Sequence, residues 1–448
     1  MRKVLIANRG EIARRIIRTC KKLGIATVAV YSEADKDMPF VREADEAVLI
    51  GPPPVPQSYL NLEAIMTAAK STGADAIHPG YGLLSENSQF ATRCKEEGIT
   101  FIGPTPEVIA HMGDKVTARK IMREAGVPVV PGIEADMPTA EEAIHFANQI
   151  GYPVMLKASA GGGGIGMQVC NSDEELRQAF QSAKGRAKAY FGNDTMFLEK
   201  FVQNPHHIEV QIIADQHGNY LHALERECSI QRRHQKVVEE SPSPFLSEST
   251  RLSICQAALD AARAVNYTGV GTVEFIMDAN QTFYFLEMNT RLQVEHPVTE
   301  EMTGLDLVEC QIFIARNEAL GISQEEIRAH RHAIELRVYA EDPKTFFPSP
   351  GMIAEYQPPT GEAIRIDDGV EAGTQVTPFY DPMIAKVIVT GSTREIAVAK
   401  AKEAIEGFHI SGIKTNLPFL LEVIEDDDFK RGVYDTQFIQ NKALKASQ

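Results

Sequence analysis

The stretch LKASAGGGGIGMQV, from Leu156 to Val169, carries five glycines in the six residues Gly161 to Gly166. Gly161, Gly163 and Gly166 fit the dinucleotide pattern G-x-G-x-x-G, which calls for a strand, a tight turn and a helix receiving pyrophosphate at its N-terminus. The flanks oppose that reading. The glycines run into IGMQVC, which reads as a strand, and the next helix starts only at Ser172, whose S-x-x-E spacing to Glu175 is a capping box. A Walker loop is excluded as well, because its lysine follows the glycines, whereas Lys157 precedes them here. The predicted unit is therefore strand, glycine loop, strand. Such a flap brings backbone N–H groups close to phosphate oxygens where no Cβ intervenes. A plain surface hairpin is the competing reading.

What surrounds the flap narrows the classes. A chain of 448 residues exceeds one ordinary core and predicts two to four domains. Its net charge of −16 argues against a nucleic-acid or anionic-membrane partner, so any phosphate site is a local basic pocket. Six scattered cysteines without a C-x-x-C predict reduced, buried thiols rather than zinc or disulfides. No signal-peptide core opens the chain, and no apolar run approaches the ~20 residues of a membrane span. A cytoplasmic protein is expected.

The first ~110 residues alternate short apolar runs with amphipathic stretches, the pattern of a parallel α/β sheet. KVLIA reads as a strand and Gly10–Leu23 as a helix with Ile12, Ile16, Ile17 and Cys20 on one face. NRGE, HPGYG and GPT follow three of the predicted strands, where open α/β sheets place ligands. From Met196 to Met288 the segments alternate like antiparallel strands, suggesting an α+β domain. A strand-rich third part begins near Arg328, with a helix over Glu395–Phe408.

The segment VEFIMDANQTFYFLEMNTRLQVEH places two carboxylates on a predicted hairpin. With the turn centred between Asn280 and Gln281, residues whose numbers sum to 561 face each other, so Glu274 opposes Glu287. Like charges so placed destabilise a hairpin unless something compensates. A hard divalent cation would do so, Mg²⁺ typically joining one or two carboxylates to nucleotide phosphates. Asn289 adds an oxygen on the same side. Solvated glutamates on an exposed sheet are the alternative, which the neighbouring Phe275, Phe283, Phe285 and Leu286 disfavour. Arg291 and Glu295 stay on that side only if the strand continues, which Pro297 opposes. A second charged cluster, ERECSIQRRHQKVVEE, holds Gln231, Arg233, His234 and Lys236, and on its own reads equally as a solvated face.

Together KASAGGGGIGM, ECSIQRRHQKVVEE, FLEMNTRLQVEHPVTE, HPGYGLLSEN, MGDK, AEDP, FPSPG and YDPMIAK resemble the biotin carboxylases, ATP-grasp enzymes. The likeness runs from IANRGEIA to GIKTN. It implies a mixed α/β and α+β chain with a Rossmann-like N-terminal domain (1–113), a central ATP-grasp domain (114–327, with a mobile lid at about 131–203) and a C-terminal α+β domain (328–448). It implies the reaction ATP + bicarbonate + biotin → ADP + phosphate + carboxybiotin, with Mg²⁺ or Mn²⁺ as two ions. Lys115, Lys157, Gly163 and Gly164 would meet the ATP phosphates; Glu199, Lys200, Phe201 and Val202 the adenine edge, with His207 and Glu209 nearby; Gln231 and His234 would also belong to the nucleotide site. Glu274, Glu287 and Asn289 would bind metal.

For the chemistry, the resemblance implies that Lys236, Arg291, Gln293 and the backbone of Val294 hold bicarbonate and that Glu295 is its general base. Arg337 would stabilise the enolate-like ureido oxygen, and Tyr81 would flank biotin. A closing lid would keep carboxyphosphate from water. The family loop usually carries a basic residue where Ile165 stands here, so the flap lacks one positive charge. No Met-Lys-Met biotinylation site is present, so the expectation is a subunit acting on a separate biotin carboxyl carrier protein, with a carboxyltransferase component, in acetyl-CoA carboxylase or a pyruvate, propionyl-CoA or other acyl-CoA carboxylase. A homodimer is implied by the family. A biotin-independent carboxylate–amine ligase is the rival reading; it shares the metal pair but gives no reason for RRHQK.

Overall fold

The run KVLI, apolar from Val4 to Ile6 with Val4 and Ile6 β-branched, forms strand β1 (Lys3–Ile6), parallel to β2 (Ala26–Ser32) on one side and β4 (Ala76–His78) on the other. With β3 (Glu46–Gly51) and β5 (Thr100–Phe101) the order is β3-β2-β1-β4-β5. The computed structural model describes residues 1–133, 137, 139–158, 168–191 and 195–446. Helix α1 (Gly10–Lys22) covers the sheet with Ile12, Ile16, Ile17 and Cys20 buried, the face read from the sequence. The strand order reverses between β1 and β4, and the loops NRGE and HPGYG leave the sheet at that switch point. Asn8 ties them together, its Nδ2 donating to the carbonyls of Pro79 (2.7 Å) and Tyr81 (2.8 Å). Gly80, at φ +64°, must be glycine there, since a Cβ would meet Asn8 Nδ2 at 2.8 Å.

The chain forms two compact units. The second comprises Pro128–Pro205 with Ile276–Leu286, and contains a four-stranded sheet. Its strands are β6 (Gly132–Ile133), β7 (Val154–Ala158), β8 (Gln168–Cys170) and β9 (Met196–Lys200). β7 pairs antiparallel with β8, Val154 opposite Cys170 and Leu156 opposite Gln168, so the glycine loop does join two strands of one hairpin. The loop, with Gly163, Gly164 and Ile165, lies outside the described residues. Val154, Leu156, Leu176, Phe180, Met196 and Leu198 pack into this unit's core. Ser172 caps the following helix by accepting from Glu175 N–H (3.3 Å), but the Glu175 carboxylate turns to Asn171 N–H (2.9 Å), one residue before the expected capping-box donor.

The first unit holds the rest, Met1–Val127, His206–Phe275 and Glu287–Gln448. Its long antiparallel strands are β10 (His206–Ala214), β11 (Tyr220–Arg232), β12 (Gln235–Ser241) and β15 (His332–Tyr339), with those parts of β13 (Gly269–Met277) and β14 (Phe283–Asn289) that lie outside Ile276–Leu286. They run in the order β14-β13-β10-β11-β12-β15, continued by Met383–Gly391 and Ile364–Asp368. The C-terminal strands thus extend the central sheet. The expected helix over Glu395–Phe408 is Arg394–Glu406.

Candidate active site

Lys236 is the hub of the site. Its ammonium donates to Glu209 Oε2 (2.5 Å), Glu274 Oε1 (2.9 Å) and Glu295 Oε1 (2.6 Å). Strand periodicity alone would put Lys236 on the face opposite Glu239. Ile230 pairs with Val238 and Gln231 with Lys236, so Val237 is one extra residue on β12, and this bulge re-aims the lysine. Burial opposes its charge, but three carboxylates outweigh burial and push its proton affinity well up.

Each carboxylate is held from a second side. Glu209 lies opposite Arg226 across β10 and β11, and Arg226, fully buried, donates to Glu209 Oε1 (2.5 Å), Gln211 Oε1 (2.6 Å) and Thr272 Oγ1 (2.9 Å). Glu274 Oε2 lies 2.9 Å from His207 Nε2, and Glu274 Oε1 accepts from Asn289 Nδ2 at 2.9 Å. Glu295 Oε2 accepts from Arg337 at 2.8 Å. Burial raises the proton affinity of Glu295, yet Lys236, Arg337 and Arg226 outweigh it and hold the carboxyl well below its usual range. Glu274 is also held low against burial, by Lys236 and His207. Both stay ionised at neutral pH.

Glu287 behaves oppositely: burial and the repulsion of Glu274 raise it, while Lys115 and His207 lower it less. Two repelling carboxylates fit a divalent cation, and Asn289, whose Nδ2 now faces Glu274 and whose Oδ1 accepts from Arg291, would have to turn its amide over to add an oxygen. The turn between the strands of the two carboxylates is not centred where the sequence suggested. Asp278 N–H donates to Thr282 O (2.9 Å) and Gln281 N–H to Asp278 O (3.0 Å), with Gln281 at φ +63°. The turn is therefore a three-residue loop centred on Asn280, and numbers summing to 560, not 561, oppose at its base. The left-handed Gln281 is the added residue. Of the four apolar neighbours, Phe275 and Phe285 are buried but Leu286 is exposed.

β14 ends at Asn289, and Pro297 sits in the first turn of the helix His296–Thr303, which Glu295 precedes as N-cap. Arg291 and Glu295 thus reach the cluster without a continued strand. Arg291 donates to Asn289 Oδ1 (3.0 Å), Gln293 Oε1 (3.2 Å) and Glu86 Oε2 (2.6 Å). Val294 O accepts from the buried Lys386 (2.7 Å), which lies 3.3 Å from Glu11; the Tyr81 hydroxyl donates to that same Glu11.

Other predicted residues lie less centrally. Lys115 opens the helix Lys115–Glu124, exposed, with Asp114 as its cap. Gln231 turns its amide to Cys228 O (2.9 Å). Arg233 and His234 form the exposed two-residue turn between β11 and β12, both at positive φ (52° and 65°). In the second unit Lys157 bonds Glu199, Phe201 N–H donates to Pro153 O (3.0 Å) and Val202 is buried. Lys200 is committed to the carbonyls of Gly151 and Tyr152, both at 2.8 Å. Sequence reasoning missed Arg226, Glu239 and Glu86. Glu239 lies on β12 with Oε1 2.5 Å from an Arg337 nitrogen.

Three family profiles match the chain: the biotin carboxylase N-terminal domain over residues 1–109, the carbamoyl-phosphate synthase L chain ATP-binding domain over 114–323 and the biotin carboxylase C-terminal domain over 335–441. The chain is 59% identical to a biotin carboxylase of Halalkalibacterium halodurans over 98% of its own length and 97% of the relative's. It is 51% identical to the propionyl-CoA carboxylase alpha chain of Ruegeria pomeroyi, over 98% of this chain and 67% of that one. A biotin carboxylase crystal structure from Campylobacter jejuni, a βγ-ATP complex, superposes with TM-score 0.91 at 48% identity, covering 98% of both chains. The bicarbonate-bound biotin carboxylase domain of a thermophilic 2-oxoglutarate carboxylase superposes with TM-score 0.95 at 47% identity, over 99% of this chain and 98% of that one. With the lysine hub and its carboxylates in place, these likenesses make the chain a member of the biotin carboxylase family, ATP-dependent ligases built on the ATP-grasp fold.

Proposed function

We propose that this chain carboxylates carrier-borne biotin with bicarbonate and ATP, as the first half-reaction of an acetyl-CoA carboxylase. The observation that carries the chemistry is Glu295, a buried carboxylate bonded to Lys236 on one oxygen and Arg337 on the other. An anion such as bicarbonate entering beside it, held also by Arg291, draws Lys236 toward itself. As that cation turns away, the proton affinity of Glu295 rises, and the carboxylate becomes a general base when the substrate is present. The deprotonated bicarbonate oxygen attacks the γ-phosphate and ADP leaves. The resulting carboxyphosphate releases CO₂ beside biotin, and the departing phosphate takes the ureido N–H proton. Arg337 faces the developing ureido oxyanion. Gln293 and the Val294 N–H complete the bicarbonate site, with Tyr81 flanking biotin.

Glu274, Glu287 and Asn289 would hold Mg²⁺ or Mn²⁺, which supplies neutralising charge to the phosphates. Lys115, Lys157, Gly163, Gly164, Glu199, Lys200, Phe201, Val202, His207, Gln231 and His234 are proposed for ATP on the motif resemblance, and the partition 1–113, 114–327 and 328–448 on the same ground. The acetyl-CoA role is proposed on the motif resemblance; chains named biotin carboxylase match at 50 to 59% identity, a range that includes the 51% of the propionyl-CoA carboxylase alpha chain. A separate carrier, a carboxyltransferase and a homodimer complete the proposal, the last supported by a neighbour described as a biotin carboxylase domain dimer. Among the described residues no helix is long and apolar enough to cross a membrane.

The test is ATP cleavage by purified protein with Mg²⁺, bicarbonate and free biotin. We expect bicarbonate-dependent cleavage that biotin stimulates. Equal ATP consumption without bicarbonate would sink the proposal. Supplying carrier, carboxyltransferase and competing acyl-CoAs then reads which acceptor is carboxylated.

A further inference from the structure

Behind Arg337 lie two carboxylates to which the mechanism gives no part. Glu239 on β12 and Glu335 on β15 are direct cross-strand partners, both fully buried. Among the described residues none of their four carboxylate oxygens has a hydrogen-bond partner of good geometry. Like charges opposite one another in a dry interior are costly, so such a pair tends to retain one proton. Arg337 NH2 sits between Glu239 Oε1, at 2.5 Å, and Glu295 Oε2, at 2.8 Å, and its Nε is itself unbonded. The guanidinium is thus shared between a carboxylate that must gain a proton during the reaction and one that need not.

We propose that Glu239 is the positioning residue of Arg337: it is the counter-ion that keeps the guanidinium in place when Glu295 accepts the bicarbonate proton, leaving the outer N–H groups for the biotin ureido oxygen. The inference rests on the function proposed above. While Glu295 is ionised, Arg337 is balanced between two anions. Once Glu295 is neutral, Glu239 is the anion among the described residues that still holds the guanidinium, poorly aligned with it. That leaves its hydrogen-bonding capacity for the developing oxyanion, where a well-formed bidentate pair would have consumed it. Glu335 takes the role of the neutral neighbour. Burial, with Glu239 beside it, pushes the Glu335 carboxyl well up, whereas burial raises Glu239 only to about 7 because Arg337 opposes it. The charge is assigned to Glu239 because it is the carboxylate that the Arg337 guanidinium touches, at 2.5 Å.

The experiment compares wild type, Glu239→Gln, Glu239→Asp and Glu335→Gln in biotin carboxylation and in ATP and bicarbonate saturation. Wild type is run first. If it shows no bicarbonate-dependent, biotin-stimulated ATP cleavage, the functional proposal itself has failed and the variants say nothing separate. With active wild type, Glu239→Gln should lower kcat for biotin carboxylation about tenfold or more, with the KM values for ATP and bicarbonate within about twofold. Glu239→Asp, which keeps the charge, should recover most of that loss. Glu335→Gln, a neutral isostere of a protonated carboxyl, should stay within about threefold of wild type. Wild-type kcat in Glu239→Gln, or no recovery in Glu239→Asp, would overturn the inference. If Glu239→Gln does not fold, the other two variants still decide: a Glu335→Gln loss exceeding that of Glu239→Asp would move the charge to Glu335 and overturn it equally.

Discussion

On strand β12 the adjacent carboxylates of Glu239 and Glu240 project to opposite faces of one sheet, and both are buried. Glu240 is fully bonded: Arg394 donates to both oxygens (2.7 and 2.9 Å), His332 Nε2 lies 2.6 Å from Oε2, and the Tyr434 hydroxyl closes on Oε1. Although burial raises it, His332 and Arg394 outweigh burial and hold its carboxyl down to about 2. Glu239 has no well-aligned partner among the described residues and is raised by burial to about 7. A closed network on one face ties the C-terminal segment to the sheet. The cations on the other face are shared among Glu209, Glu239, Glu274 and Glu295, so an entering anion can claim them. The difference separates buried charge that stabilises from buried charge that reacts.

The contrast can be attacked on either face. The largest effect is expected from Lys236→Met, which leaves three carboxylates without their common cation; turnover should fall about a thousandfold. Steady-state ATP cleavage with bicarbonate measures it, and a loss under tenfold would mean Lys236 is not the hub. On the other face Glu240→Gln should cost about 3 kcal/mol of stability in urea unfolding, with the KM values for ATP and bicarbonate within about twofold. A variant that unfolds like wild type would remove the closed network from the argument.

The Glu240 network also sets a pH dependence. Its folded value of about 2 lies below the ordinary 4.5, so its contribution is fully present above pH 4.5 and is lost as pH falls from there toward 2. The depression corresponds to about 3 kcal/mol. Glu240→Gln should flatten that part of the acid-unfolding curve, and an unchanged acid limb would contradict it.

Arg337→Ala comes next, with biotin carboxylation reduced about a hundredfold and ATP affinity largely spared. Weakened ATP binding as the main defect would contradict the proposed place of Arg337 opposite the ureido oxygen. The smallest effect is expected at the β11–β12 turn. Arg233 occupies a left-handed position that glycine adopts without strain, so Arg233→Gly should stabilise the hairpin by roughly 0.5–1 kcal/mol in urea unfolding. Destabilisation would show that the Arg233 side chain contributes more than its backbone costs.

The fold was legible wherever the signal was local. The buried face of α1, the strands on both sides of the glycine loop and the helix Arg394–Glu406 follow from spacing within one element. The chain from Asn289 through Arg291 to Glu295 was legible as chemistry, though it arrives by a strand end and a helix start rather than one continued strand. What escaped depends on single residues that shift a register or on partners distant in sequence. The extra Val237 sends Lys236 to the reactive face, and Gln281 lengthens a turn by one residue; neither carries glycine's usual turn signature. Arg226 and Glu239 read as members of charged runs, because only strand pairing reveals that they are buried against Glu209 and Glu335.

The central claim is that bicarbonate, held against Lys236 and deprotonated by Glu295, attacks the γ-phosphate directly. Bicarbonate labelled with ¹⁸O tests it, by mass spectrometry of the phosphate released while biotin is carboxylated. One labelled oxygen per phosphate is the result we predict, since the attacking oxygen stays with phosphorus when carboxyphosphate breaks down. Phosphate carrying no bicarbonate oxygen, released at the same rate as carboxybiotin forms, would contradict it.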